Sequence, residues 1–133
     1  MKQSPVLNIL LWVVQGLLAL AFLFAGFFKL ATPMEELATN MPWVTETPSW
    51  LVRFIGLAEV AGAIGLIVPA ATRIKPNLTP MAALGIIAIM VLAAIFHLTR
   101  EGEAPMVLNN VFMIALAGFV YYGRTKLRPI APK

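Results

Sequence analysis

Cysteine is absent from the 133 residues, histidine occurs once, and charged residues make up only 12% of the chain, six of them acidic. Without cysteine there is no disulfide, no thiolate metal site and no thiol nucleophile, which excludes the membrane enzymes that form disulfides or reduce vitamin K epoxide through cysteines. A single histidine builds neither a His-rich zinc site nor a bis-His haem, and no Gly-rich phosphate loop, HExxH or GxSxG is present, so no metal and no covalent cofactor is expected. The charge is about half that of an average soluble domain. What replaces it is apolar: 60% of the residues are hydrophobic and the mean hydropathy is +0.86. One small core cannot bury so much apolar surface, and the expected solvent is the bilayer. The net charge of +4 forms no basic face or aromatic-basic stripe, so nucleic acid is not an expected partner.

Four uncharged or nearly uncharged runs predict four membrane spans, at about residues 7–28, 50–68, 79–98 and 105–122. The first is too long for the apolar region of a cleaved leader, about 7–15 residues. Between the first two spans, Thr32 and Pro33 read as N-cap and first residue of a short interfacial helix with Glu35 and Glu36 in its first turn, ended by Pro42 and Pro48. Trp43 and Trp50 bracket this loop and mark one headgroup level. Pro69 reads as the exit from the second span. Fold class is therefore all-α: one domain over residues 1–133, an antiparallel four-span bundle with a short interfacial helix in the first outer loop.

Charge orients this bundle. Lys2, Arg73, Lys75, Arg124, Lys126, Arg128 and Lys133 share one side, against Lys29, Arg53 and Arg100 on the other. The positive-inside rule puts both termini in the cytoplasm of a bacterial-type inner membrane. The five loop acids, Glu35, Glu36, Glu46, Glu101 and Glu103, fall on the outer side. Small residues at four-residue spacing (Ala21 and Ala25, Ala58 and Gly62, Ala61 and Gly65) suit close helix packing and would equally serve a homo-oligomer.

An ionised side chain inside a bilayer costs on the order of 3 kcal/mol on insertion scales. Glu59 sits nine residues past Trp50, about 13 Å of helix rise, with Gly56, Gly62 and Ala63 on the same face. Lys29, His97 and Asn109 or Asn110 fall at the same end of the other three spans. A Glu59–Lys29 pair with His97 and an asparagine hydrogen-bonding around it is the expected site, while Arg53, about 120° around the helix from Glu59, is expected to snorkel outward. The plainer alternative is a buried pair that only fixes helix register. Met81, Met90, Met106 and Met113 read as packing and lipid contact.

These residues resemble the DoxX-like family of small four-helix membrane proteins. The likeness runs through Gly26, Phe27, Phe28 and Lys29, the stretch Ile55 to Gly62, Phe96 and His97, the Met41–Pro42–Trp43 loop, the Leu66 to Pro69 exit, and the Asn110 to Arg124 helix, covering nearly the whole chain. The resemblance implies a membrane location and Lys29, Glu59, His97 and Asn110 as a shared polar cluster. It also implies a link to redox metabolism, since some members are associated with thiosulfate:quinone oxidoreduction or a membrane oxidoreductase complex, and distant relatives act as receptor-assembly chaperones. Three functions follow as alternatives. The first is an accessory subunit, not a self-sufficient enzyme, that binds a quinone or lipid-like ligand beside an oxidoreductase partner. The second is a membrane-protein assembly factor, and the third a small proton-coupled exporter. Against the exporter, the carboxylate lies in the second span and the basic bias is one-sided.

Overall fold

A computed structural model describes residues 4–133, so Lys2 lies outside the described residues. Four long helices, α1 (Pro5–Ala31), α3 (Ser49–Thr72), α4 (Leu78–Leu98) and α5 (Ala104–Tyr122), run alternately up and down, and α2 (Met34–Asn40) lies in the α1–α3 connection. A 3₁₀ turn (Pro42–Glu46) follows α2, and α5 continues as a π-helical turn (Gly123–Leu127). All four long helices are long and apolar enough to cross a membrane. At 27 residues α1 rises about 40 Å, more than the hydrocarbon thickness.

Local chemistry sets the ends. Ser4 accepts a hydrogen bond from the Leu7 N–H and Pro5 opens α1. Pro33 does not begin α2 as the sequence suggests. It occupies the N-cap position, and Thr32 is the C-cap of α1. Pro69 does not end the second span either, for α3 continues through it to Thr72. Proline has no N–H for the carbonyl four residues back. That carbonyl, Gly65 O, instead accepts from the Thr79 hydroxyl of α4 at 2.9 Å.

Buried Leu18, Phe22, Ala63, Leu66, Ala83, Ile86, Ala117 and Val120 form the core. Most other large apolar side chains point outward, as lipid-facing side chains must; Phe24 is 72% exposed. Around the bundle α1 lies against α3, α3 against α4, and α4 against α5, with a looser α1–α5 seam. The α1–α3 contact is backbone on backbone. A Cβ on Gly26 would stand 2.5 Å from Gly56 O, and one on Gly56 would stand 2.8 Å from Gly26 O. Of the four-spaced small residues, Gly62 and Gly65 face Ile86 and Ala82 of α4, while Ala21, Ala25 and Ala58 line a cavity.

The two ends of the bundle differ in charge. Glu35, Glu36, Glu46, Glu101 and Glu103 gather at the end where α1 and α4 finish, here called the acidic end. Arg73, Lys75, Arg124, Lys126, Arg128 and Lys133 gather at the other, basic end. There the C-terminal tail folds back on the end of α3: the Lys133 N–H donates to Arg73 O at 2.8 Å and Arg73 Nε donates to Ala131 O at 2.9 Å.

Neither backbone at the Gly26–Gly56 crossing can yield without separating the helices. Gly26→Ala is expected to lower stability in detergent by about 1–3 kcal/mol, the usual cost of overpacking. Gly16→Ala, with nothing within 4 Å of its added Cβ, is expected to be tolerated. Unfolding titrations in SDS of the two variants check the difference.

Candidate functional site

A cavity of about 620 Å³ lies in the acidic half of the bundle, among α1, α3, α4 and α5 and beneath the α2–α3 connection. Lys29, Glu59, His97, Asn109, Asn110 and Trp43 all line it, and nearly all its other walls are apolar. The fold therefore brings the candidate residues of four helices around one space. Trp50, the other tryptophan expected at the headgroup level, stands at the start of α3 and is 69% exposed.

The central contact is an ion pair. Lys29 Nζ lies 2.8 Å from Glu59 Oε1, and the two residues are 8% and 4% exposed. The glycine crossing makes this possible: Lys29 is three residues past Gly26 and Glu59 three past Gly56, so both side chains leave the tightest point of α1–α3 toward the same side.

The partners expected around the pair are arranged differently. His97 does not reach Glu59. Its Nδ1 lies 2.7 Å from Glu103 Oε1, leaving Nε2 for other contacts. Glu103 also accepts from Arg100 Nε at 2.7 Å, and Arg100 pairs with Glu46 of the 3₁₀ turn. Asn110 donates to Met90 Sδ at 3.4 Å rather than to Glu59. Its Oδ1 is buried without a hydrogen-bond partner among the described residues. Met90, Met106 and Met113 line the cavity, so these methionines do more than face lipid, whereas Met81 is exposed. Asn109 is exposed and stands at the cavity edge.

Arg53 also departs from expectation. Instead of snorkelling outward it donates from Nη1 to Lys29 O at 2.7 Å and to Thr32 O at 2.6 Å. Pro33 has no N–H to offer Lys29 O, and the last carbonyls of any helix lack intrahelical donors. Arg53 fills that need, and its charge suits the negative end of α1.

Trp43 lines the cavity at its acidic end. Its ring meets Phe96 and His97 edge-on at 6.1 and 6.3 Å, while the Arg100 guanidinium lies 5.5 Å from the centre of the Phe96 ring. The Arg100 bridge to Glu46 straps the loop that carries Trp43 to the end of α4.

A second polar group lies at the basic end. Arg124, 4% exposed, donates to Gln15 Oε1 at 2.7 Å, to Asn8 Oδ1 at 2.8 Å and to Arg128 O at 3.0 Å. Its guanidinium also stacks 5.3 Å from the Trp12 ring centre. Gln15 Nε2 in turn donates to Leu66 O at 2.6 Å. From the sequence Arg124 reads only as an orienting charge, and Gln15, an amide within an uncharged run, is the signal for this cluster. It clamps α1, α3 and α5 together, away from the cavity. No group of three or more His, Cys, Asp or Glu side chains that could hold a metal ion occurs among the described residues.

Residues 13–120 match the model of the DoxX-like family. The chain belongs to the DoxX-like family. No curated protein and no solved structure matches it. In this DoxX-like protein the matched segment contains every residue that lines the cavity, together with Gln15 and Leu66 of the basic-end clamp but not its Asn8, Trp12 and Arg124.

Glu103, just outside the spans, has its carboxyl held below the ordinary glutamate range by hydrogen bonds from Arg100 first and His97 second. A carboxyl depressed in the folded state contributes stability above its unfolded pKa and loses it as pH falls through the folded value. The contacts of Glu103 with Arg100 and His97 are therefore expected to hold at neutral pH and to be lost on acidification below the ordinary glutamate range, about pH 4.3. Trp43 emission, isolated by Trp12→Phe and Trp50→Phe, should report the step, and Glu103→Gln should remove it.

Proposed function

We propose that this DoxX-like protein binds a small amphipathic molecule, quinone-like in size and polarity, in the acidic-end cavity. In this reading it serves membrane redox metabolism as an accessory subunit rather than a self-sufficient enzyme. The observation that carries the reading is the cavity itself: about 620 Å³, within the usual range for a small-molecule site, with apolar walls and a few convergent polar groups. An oxygen-bearing head would meet the Lys29 ammonium and the free nitrogen of His97. The unpartnered Asn110 Oδ1 is an acceptor that a ligand hydroxyl would satisfy, which favours a quinol over a quinone.

His97 is the group suited to proton exchange with such a head, because neutral imidazole donates at one nitrogen and accepts at the other. Glu103 fixes the side of the ring away from the ligand. Glu59 keeps Lys29 in place and balances its charge. The one-sided basic residues support an orientation with the acidic end outward and the termini in the cytoplasm of a bacterial-type membrane.

Titration of a short-chain quinol into purified protein, followed by Trp43 emission, tests this. Asn110→Leu and His97→Ala are each expected to weaken binding about tenfold, the loss of one hydrogen bond to a buried group. Unchanged affinity in both variants contradicts the reading.

A further inference from the structure

We infer that the cavity is loaded sideways from the hydrocarbon, through the α3–α4 seam between Phe54 and Leu92, while the loop carrying Trp43 closes it toward water. The inference rests on the ligand-binding reading above for its occupant, and it narrows that occupant to molecules dissolved in the acidic-end leaflet.

In the acidic half the helices form two pairs. Backbone contact at Gly26 and Gly56 joins α1 to α3, and the Asn110–Met90 bond joins α5 to α4. The cavity is the space between the pairs. Near the basic end the α3–α4 seam is tight: a Cβ on Gly65 would lie 2.7 Å from Ala82 Cβ. At Gly62 the nearest atom is the Ile86 side chain at 3.2 Å. One to two turns further toward the acidic end, Ala58 and Phe54 of α3 and Ile89, Leu92 and Ala93 of α4 all line the cavity. The seam thus widens from the basic end until it becomes the cavity wall.

Phe54 and Leu92 mark the opening on the α3–α4 side. They are 52% and 68% exposed and also line the cavity, so each stands on a rim with one side outside the protein and one side within. Both lie inside membrane-spanning helices, where the outside is lipid. The rim has no polar side chain to hold water, and the alanines at 58 and 93 leave its width unfilled. Toward water the path is different. Trp43 covers Phe96 and His97, and its loop is tied down by Arg100 through Glu46 and Glu103. A solute from the aqueous side would have to break these charged contacts, whereas one already in the leaflet meets only movable apolar side chains.

Trp43 itself reports the route, and no quinone is needed. The full chain with Trp12→Phe and Trp50→Phe is reconstituted in vesicles of phosphatidylcholine with or without brominated acyl chains, and in plain vesicles with added iodide. Bromolipid is expected to quench Trp43 severalfold more than iodide does. Ala93→Phe, alone and with Ala58→Phe, is expected to remove most of the bromolipid quenching and leave the iodide response unchanged. Iodide quenching that exceeds bromolipid quenching overturns the inference, because the cavity then opens to water. Bromolipid quenching that both filled variants leave intact also overturns it, because lipid then reaches Trp43 by another path. A quinol that fails to bind a protein whose Trp43 is quenched through the seam removes the proposed ligand but not the route.

Discussion

The Lys29–Glu59 pair sits where two helix backbones touch, one turn from the Gly26–Gly56 crossing. Each ion alone would cost several kcal/mol to remove from water. Their 2.8 Å contact lies one turn from the point where α1 and α3 approach more closely than side chains at Gly26 or Gly56 would permit. The pair and the glycine crossing are therefore one device, and it decides where space remains. With α1 and α3 pressed together, and α5 joined to α4, the unfilled volume falls between the two helix pairs.

At the basic end that gap is closed by hydrogen bonds placed where the helices leave carbonyls or charges unsatisfied. Thr79 supplies the donor that Pro69 withholds from Gly65 O. Arg124, with no Asp or Glu side chain at this end among the described residues, is held by Gln15, Asn8, a main-chain carbonyl and the face of Trp12. Buried polar groups in lipid have no water to fall back on, so these bonds fix the helix ends firmly. The bundle is clamped at one end and splayed at the other, and the splayed end carries the polar cluster.

Much of this was legible in the sequence, for physical reasons. Four long runs with few or no charges have few alternatives to four spans, and Glu59 stands out because its depth is expensive without a cation, for which Lys29 is the expected partner. What was less legible depended on partners that helix periodicity does not reveal. Glu103 reads as a solvated loop acid until the start of α5 brings it to His97. Arg53 reads as a snorkelling side chain until Pro33 is seen to leave Lys29 O without a donor. Pro69 reads as a helix end because its missing hydrogen bond is replaced from another helix, and the Gly26–Gly56 crossing lies between glycines on different spans rather than in a repeat along one. Asn110 was picked out for its polarity at the right depth, but its thioether partner has no signature in sequence.

The account stands on the cavity being a site for a molecule from the membrane rather than a packing gap. Native mass spectrometry with lipid extraction, on protein released gently from its own membrane, tests this most directly. The account predicts an apolar small molecule with an oxygen-bearing head bound to the wild-type chain and lost from Glu59→Gln. A wild-type bundle that comes out empty, with a stoichiometric protein partner and the same partner on Glu59→Gln, would contradict it and leave the Lys29–Glu59 pair as a fastening between helices.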